Sequence, residues 1–231
     1  MRRDYFNSLD NFLDYTEGRR RQWYFFIDVV TFVIVGIAAY WFINVPAMKV
    51  RAAYVLWHQS NRVATSVDEN QNVNTDIAQL QSSDNKPPVT TDLSEGLHID
   101  KINVSAPITW NADSNSINGA LEKGVVHIAG TAMPGTPGNM FLTGHSSDYW
   151  WMPGDYKTVF ALLDKMESGD EIQIAYNKNL YLYRVYNKQV ISKDEVSNYV
   201  ETDKPESVTL MTCYPVGTNW KRLIVQAERK F

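Results

Sequence analysis

Hydrophobic positions follow three different patterns along this chain. From Tyr24 to Ile43, YFFIDVVTFVIVGIAAYWFI, twenty residues carry a single charge, Asp28. An unbroken apolar run of that length predicts a helix that can cross a hydrocarbon core of about 30 Å. With its flanks it is assigned to residues 23–44, and Trp23, Tyr24, Tyr40 and Trp41 lie where interfacial aromatic belts form. A buried helix of a soluble domain is the competing reading, and the length disfavours it. Asp28 lies about one turn in and can snorkel toward headgroups. After the run, PAMKVRAAYVLW (46–57) can continue as helix. From about His58 to Thr91 apolar positions thin out into Asn, Gln, Ser and Asp, closing on Pro87-Pro88. Such a stretch cannot bury a core, so residues 45–91 are assigned as a stalk or linker.

From about Asp92 onward the period shortens to two. LHIDKINV alternates with one slip, which points Leu97, Ile99, Ile102 and Val104 inward. GVVHIAG and GNMFLTGH are short apolar runs bracketed by glycine, as strands between tight turns are. EIQIAYN and LYLYRVYNKQVI alternate and meet at Asn177-Lys178-Asn179; SVTLMTC and RLIVQAE complete the set. Only YKTVFALLDKM has helical spacing, with Val159, Phe160, Leu163 and Met166 on one face and Gly169 as its stop. Many short strands with few helices predict a mainly β domain, a closed or nearly closed barrel, over residues 92–231.

Charge adds an orientation. Arg19-Arg20-Arg21 abut the apolar run, while Lys49 and Arg51 are the next basic residues beyond it. This bias puts residues 1–22 in the cytoplasm and the barrel outside. Tyr5, Phe6, Leu9, Phe12 and Leu13 have helical spacing, as for an amphipathic helix on the inner membrane surface or simply a tail. A net charge of −4 gives no reason to expect nucleic acid. The single cysteine, Cys213, excludes an intrachain disulfide framework.

Is that thiol a small buried hydrophobe or a nucleophile? A nucleophilic thiol needs a base or cation beside it. The barrel region offers His98, His127 and His145. His98 lies at its leading edge and His127 falls mid-strand. His145 ends GNMFLTGH where a strand yields to a loop, at a rim where clefts form. Arg222 opens the strand that follows Cys213, so the YPVGTNWK loop would return it to the same rim. A guanidinium there keeps its charge throughout a cycle and can stabilise a developing oxyanion. Tyr149, Trp150 and Trp151, just past His145, either line a cleft or cap the barrel as an apolar patch. Asp148 is a solvated loop carboxylate or an orienter of the imidazole.

TLMTCYPVGTNWKRLIV resembles the active-site signature of the sortases, membrane-anchored cysteine transpeptidases: TLxTC, a loop, then Arg opening the last strand. GNMFLTGHSS resembles the segment carrying their histidine, and LHIDKINVSAPI their first strands. The resemblance implies an eight-stranded sortase-type β-barrel with one or two short helices, preceded by a single transmembrane helix. It implies Cys213 as nucleophile, His145 as general acid/base and Arg222 as carbonyl and oxyanion stabiliser. Thr212, Tyr149, Trp150 and Trp151 are candidate substrate-binding residues. No metal or other cofactor is required by this chemistry. The implied partners are proteins ending in an LPxTG-like sorting signal and an amine acceptor, a cell-wall peptide or a lysine. CYP and the N-terminal anchor look more like class D or E. Two other functions remain open at this point: a cysteine hydrolase on the same scaffold, and a membrane-tethered binding module with a structural thiol.

Overall fold

The computed structural model describes residues 2–68 and 94–230, with side chains described over 23–59 and 94–230. The polar stretch 69–93 and the side chains of 2–22, including the three arginines, lie outside the described residues. Helix α1 (Arg2–Ile43) is a unit by itself; the second unit begins at Asn44. From Trp23 to Phe42 every side chain of α1 is exposed, apolar ones on all sides. Its segment Trp23–Ile43 is, by length and composition, able to cross a membrane. Helix α2 (Val45–Asp68) starts where Pro46, lacking an N–H, cannot continue the α1 ladder.

Among the described residues nine strands make one sheet: β1 (Gly96–Ile99), β2 (Val104–Ala106), β3 (Ile108–Ala112), β4 (Val125–Ile128), β5 (Gly138–Thr143), β6 (Glu171–Tyr176), β7 (Asn179–Ile191), β8 (Glu206–Tyr214) and β9 (Lys221–Arg229). Their order is β2-β1-β6-β7-β9-β8-β5-β4-β3. The two outer strands of that order, β2 and β3, are consecutive and separated only by Pro107. The sheet therefore curls into a nearly closed barrel. Pro107 has no N–H for a ladder, which divides one extended path into two strands. This is why nine strands appear where eight were expected. A short helix, α3 (Ile117–Leu121), joins β3 to β4.

The inward face carries Leu97, Ile99, Met140, Leu142, Ile172, Ile174, Tyr183, Val208, Leu210, Leu223 and Val225, all buried. The slip expected in LHIDKINV is a 3₁₀ turn, Asp100–Ile102, closed by Asn103 at φ 51°. A left-handed residue is tolerated there because it is asparagine. Ile102 and Val104 return to the core as expected. YKTVFALLDKM differs. It forms successive turns and a 3₁₀ segment (Leu163–Lys165) rather than an α-helix. Its bonds step three residues at a time, Ala161 N to Thr158 O and Leu163 N to Phe160 O, while Phe160 N donates instead to His145 O at 2.9 Å. A long-range acceptor has displaced the i−4 carbonyl that an α-helix would use. The four apolar residues nevertheless face the barrel: Phe160, Leu163 and Met166 are buried and Val159 packs on the same cluster.

The first half of α2 also belongs to the barrel unit. Val50 and Tyr54 pack on the core cluster, and Ala47 is buried. The guanidinium of Arg51 donates from Nη1 and Nη2 to both carboxylate oxygens of Asp164 at 2.9 and 2.8 Å. Nη1 also reaches Ala161 O at 2.9 Å. The stretch 46–57 is helix, and its first half is docked on the barrel. A cavity of about 690 Å³ lies between α2 and the barrel, lined by Tyr54, Trp57, Ile102, Tyr156 and Leu162 among others. None of Cys213, His145 and Arg222 lines it.

Candidate active site

Side chains alternate across a strand, and the alternation of β5, β8 and β9 sorts the chemistry from the core. On β8, Val208 and Leu210 point inward, so Thr209, Met211 and Cys213 share the outer face. On β9, Leu223, Val225 and Ala227 point inward, leaving Arg222, Ile224 and Gln226 outside. On β5, Met140 and Leu142 point inward, and Phe141 and Thr143 point out. Continuing that alternation brings His145 to the outer face. Cys213 and Arg222 are direct cross-strand partners in the antiparallel β8–β9 pair. β5 runs parallel to β8 with Thr143 opposite Met211. Gly144 N donates to Met211 O at 3.2 Å, so the register persists past the strand end. Two residues further it sets His145 level with Cys213, on strands about 4.8 Å apart.

Thr212 is the hinge of this arrangement. It is buried, and its Oγ1 donates to Gly144 O at 2.7 Å. The residue before the thiol is thus bonded to the residue before the imidazole. Its side chain is committed inside the protein, whereas the sequence reading had it as a substrate contact. Gly144 leaves no room for a larger residue: a Cβ there would meet Phe160 and Val159 at 2.7 to 2.9 Å. The backbone of Gly144 and His145 is therefore gripped at both carbonyls, by Thr212 and by Phe160 N.

Cys213, His145 and Arg222 are each half-buried. Arg222 Nη1 donates to the carbonyls of Asn219 and Lys221 at 3.2 and 3.0 Å. Its Nε and Nη2 have no protein acceptor among the described residues. Asp148 Oδ2 lies 3.9 Å from His145 Nε2, and its other oxygen accepts from Tyr149 N at 2.7 Å. The carboxylate is mostly covered, 19% exposed, and at 3.9 Å it stands beside the imidazole without a hydrogen bond to it. Tyr149, Trp150 and Trp151 are 48%, 54% and 54% exposed. Tyr149 stacks on Trp151 at 4.8 Å, and Trp150 meets Trp151 edge-on at 5.6 Å. They form a standing aromatic cluster on the loop after His145, not a buried cap.

The outer face beside the thiol is apolar. Phe141, Ile191 and Ile224 form a small buried cluster, joined by Ile128, Val196, Tyr199 and Met211. The β7–β8 connection, with its 3₁₀ segment Lys193–Tyr199, stands over this face. Buried Asn139 holds it there. Its Nδ2 donates to Tyr199 O and Val200 O, both at 3.0 Å, while its Oδ1 accepts from Ser207 and Thr209, both at 3.0 Å. The sequence reading did not single out Asn139; an asparagine at an apolar strand start was the available signal.

The other two histidines of the barrel strands are held by hydrogen bonds within the protein. His127 is fully buried on β4. Its Nδ1 accepts from Asn111 N at 3.2 Å, and Nε2 contacts Thr131 Oγ1 and Ala132 O at 2.9 and 3.0 Å. Burial holds its pKa below the ordinary histidine value, partly offset by the Ala132 carbonyl. His98 is tied to Ser94 O at 2.8 Å and Ser105 Oγ at 3.2 Å.

A sequence profile described as the sortase domain matches residues 97–230, more than half of the chain. The chain belongs to the sortase family. Members of that family are cysteine transpeptidases. Sortase D of Bacillus subtilis (strain 168) is 30% identical over 145 residues, a match that covers 62% of this chain and 66% of that protein. Among solved structures, sortase C1 of GBS pilus island 1 superposes with a TM-score of 0.50 at 29% identity, covering 58% of this chain and 63% of that one. A Clostridium perfringens sortase D5 transpeptidase aligns with a TM-score of 0.48 at 28% identity, over 58% of this chain and 77% of its own.

Proposed function

We propose that this sortase is a membrane-anchored transpeptidase whose catalytic unit lies outside the cell, and that it joins proteins bearing an LPxTG-like C-terminal signal to an amine. The observation that carries the reading is the register of the site: Cys213 stands opposite Arg222, and His145 follows two residues after Thr143, as Cys213 follows two after its partner Met211. The thiolate of Cys213 attacks the carbonyl carbon of the signal's threonine. The oxyanion forms against the free donors of Arg222. The C–N bond to the next residue breaks, and the imidazolium of His145 gives its proton to the departing amine. A thioester remains. The acceptor amine attacks it, passes a proton to His145, and releases Cys213. The partly exposed apolar residues Ile128 and Met211 on the sheet, with Val196 and Tyr199 on the segment over it, suit the leucine and proline that precede the threonine. The all-round exposed apolar surface of Trp23–Phe42 suits lipid, and the arginines before it support a cytoplasmic N-terminus.

The test is mass spectrometry of products from the full chain in micelles, incubated with a sorting-signal peptide library with and without an amine. A product carrying the amine on its threonine is expected. Hydrolysis indifferent to the amine would instead assign a cysteine hydrolase. Activity that survives alkylation of Cys213 would remove the thiol from the chemistry altogether.

A further inference from the structure

The catalytic face is bounded by two loops, and α2 together with Asn44, the residue that precedes it, touches both of them. On one side is the β8–β9 loop, which carries Arg222 at its end. Its Gly217, at φ 85°, lies so close to Asn44 that a methyl group there would collide with the Asn44 side-chain amide. On the other side is the segment after His145. Arg51 holds it at Ala161 O and at both oxygens of Asp164. The neighbouring Phe160 N in turn holds His145 O, and Phe160 and Val159 back Gly144. A direct bond, Gly217 N to Ser147 Oγ at 3.0 Å, ties the two loops to each other between these supports.

Asn44 is the residue before α2 and its carbonyl accepts from Met48 N at 3.0 Å, so with Ala47 and Arg51, spaced three and four residues on, it lies on one side of the helix. Seven residues of helix span about 10 Å. A helix is stiff over that length. With Ala47 buried between its two ends, it fixes the spacing of the loops it contacts.

We infer that the first two turns of α2 are a brace for the active site, and that Asn44 and Arg51 are positioning residues for Arg222 and His145. Neither touches the reacting atoms. Asn44 sets the β8–β9 loop whose Asn219 and Lys221 carbonyls hold the Arg222 guanidinium. Arg51 sets the turn whose Phe160 amide holds His145. The helix that follows the apolar segment is thereby a working part of the catalytic unit, not a spacer.

The experiment uses the full chain in micelles and the variants Arg51→Gln, Asp164→Asn, Asn44→Ala and the exchange Arg51→Asp/Asp164→Arg. Two readouts are taken. Hydrogen exchange of amides in 157–165 and 214–221 reports the loops directly. Turnover of a sorting-signal peptide, which rests on the transpeptidase reading above, is split into kcat and KM. Loss of the Arg51 pair should speed exchange in both loops and lower kcat by about 10- to 100-fold, since small misplacement of catalytic groups costs that much. KM should move far less. The charge exchange should recover much of the protection that Arg51→Gln loses. Exchange and kcat within twofold of wild type in both Arg51→Gln and Asn44→Ala would overturn the brace. So would a rise in kcat, which would make α2 a cover over the site. If the wild type turns over no sorting peptide, the function falls, and the exchange readout still decides the brace.

Discussion

Replacing Thr212 by valine removes one hydroxyl from the centre of the site and almost nothing else. The two side chains have nearly the same shape, so the packing survives. What is lost is the 2.7 Å bond to Gly144 O. The carbonyl remains, buried between Phe160 and the sheet, without a donor. An orphaned buried acceptor costs about 1–3 kcal/mol. For a unit of this size each kcal/mol lowers the melting temperature by roughly 2–4 °C, so a fall of about 2–12 °C is expected. The same bond holds the His145 backbone level with Cys213, so chemistry should suffer beyond the stability loss. Melting by circular dichroism gives the first quantity. The rate of peptide turnover at a temperature well below both melting points gives the second. Thr212→Ser keeps the hydroxyl and should stay close to wild type in both. If Thr212→Val melts with wild type, or if serine fails as badly as valine, the bond is not what joins the two strands' chemistry. A serine variant that folds normally but raises KM alone would return Thr212 to the substrate-contact role the sequence suggested.

Cys213→Ala should abolish acyl transfer, and Cys213→Ser should be nearly as inactive because its hydroxyl resists ionisation; single-turnover trapping of the acyl enzyme checks both. Arg222→Lys keeps the charge but not the planar fork, so a loss of kcat of about 100-fold is expected from an oxyanion-type contact, and near-wild-type kinetics would remove that role. His127 has a folded pKa below its unfolded value, so the unfolded chain binds more protons: its contribution is fully present above about pH 6.5 and is lost as pH falls from there through the depressed folded pKa. His127→Gln should therefore flatten the acid limb of a melting-temperature-against-pH curve, and parallel curves for the two proteins would contradict the buried neutral imidazole. External protease on intact cells should remove the barrel unit, and protection until lysis would reverse the proposed topology.

Local pattern made the barrel legible. Period-two alternation in SVTLMTC and RLIVQAE sorts inner from outer residues, and the same alternation sets Cys213 and Arg222 on one face. Their pairing could be anticipated because a short loop between two strands returns them to one rim. His145 needed more, since its partner strand β8 is some sixty residues distant and parallel, and no local signal fixes a parallel register. Its place at the end of GNMFLTGH, where a strand yields to a loop, suggested a rim, and the glycine before it fits the close approach found there. That approach is by Phe160 and Val159. The helical spacing of YKTVFALLDKM correctly named the buried residues and misnamed the backbone, because periodicity reports which side chains face the core while the carbonyl of His145 decided where Phe160 N would bond.

The docking of α2 was the least visible feature, and for a physical reason. PAMKVRAAYVLW is rich in apolar residues, but they do not form one clean stripe: Val50 and Tyr54 pack on the core cluster while Val55, Leu56 and Trp57 are exposed. Its attachment depends on small residues that permit approach, Ala47 above all, and on one arginine whose partner lies 113 positions on. Hydrophobic pattern detects elements that bury large side chains. It is a weak guide to a helix that buries only part of Val50 and Tyr54 and is otherwise held by an ion pair, a buried alanine and a glycine opposite. Yet such a contact can carry more of the chemistry than a greasy one. An apolar face slides at little cost, whereas a bidentate Arg51–Asp164 pair has one geometry and fixes the element it holds.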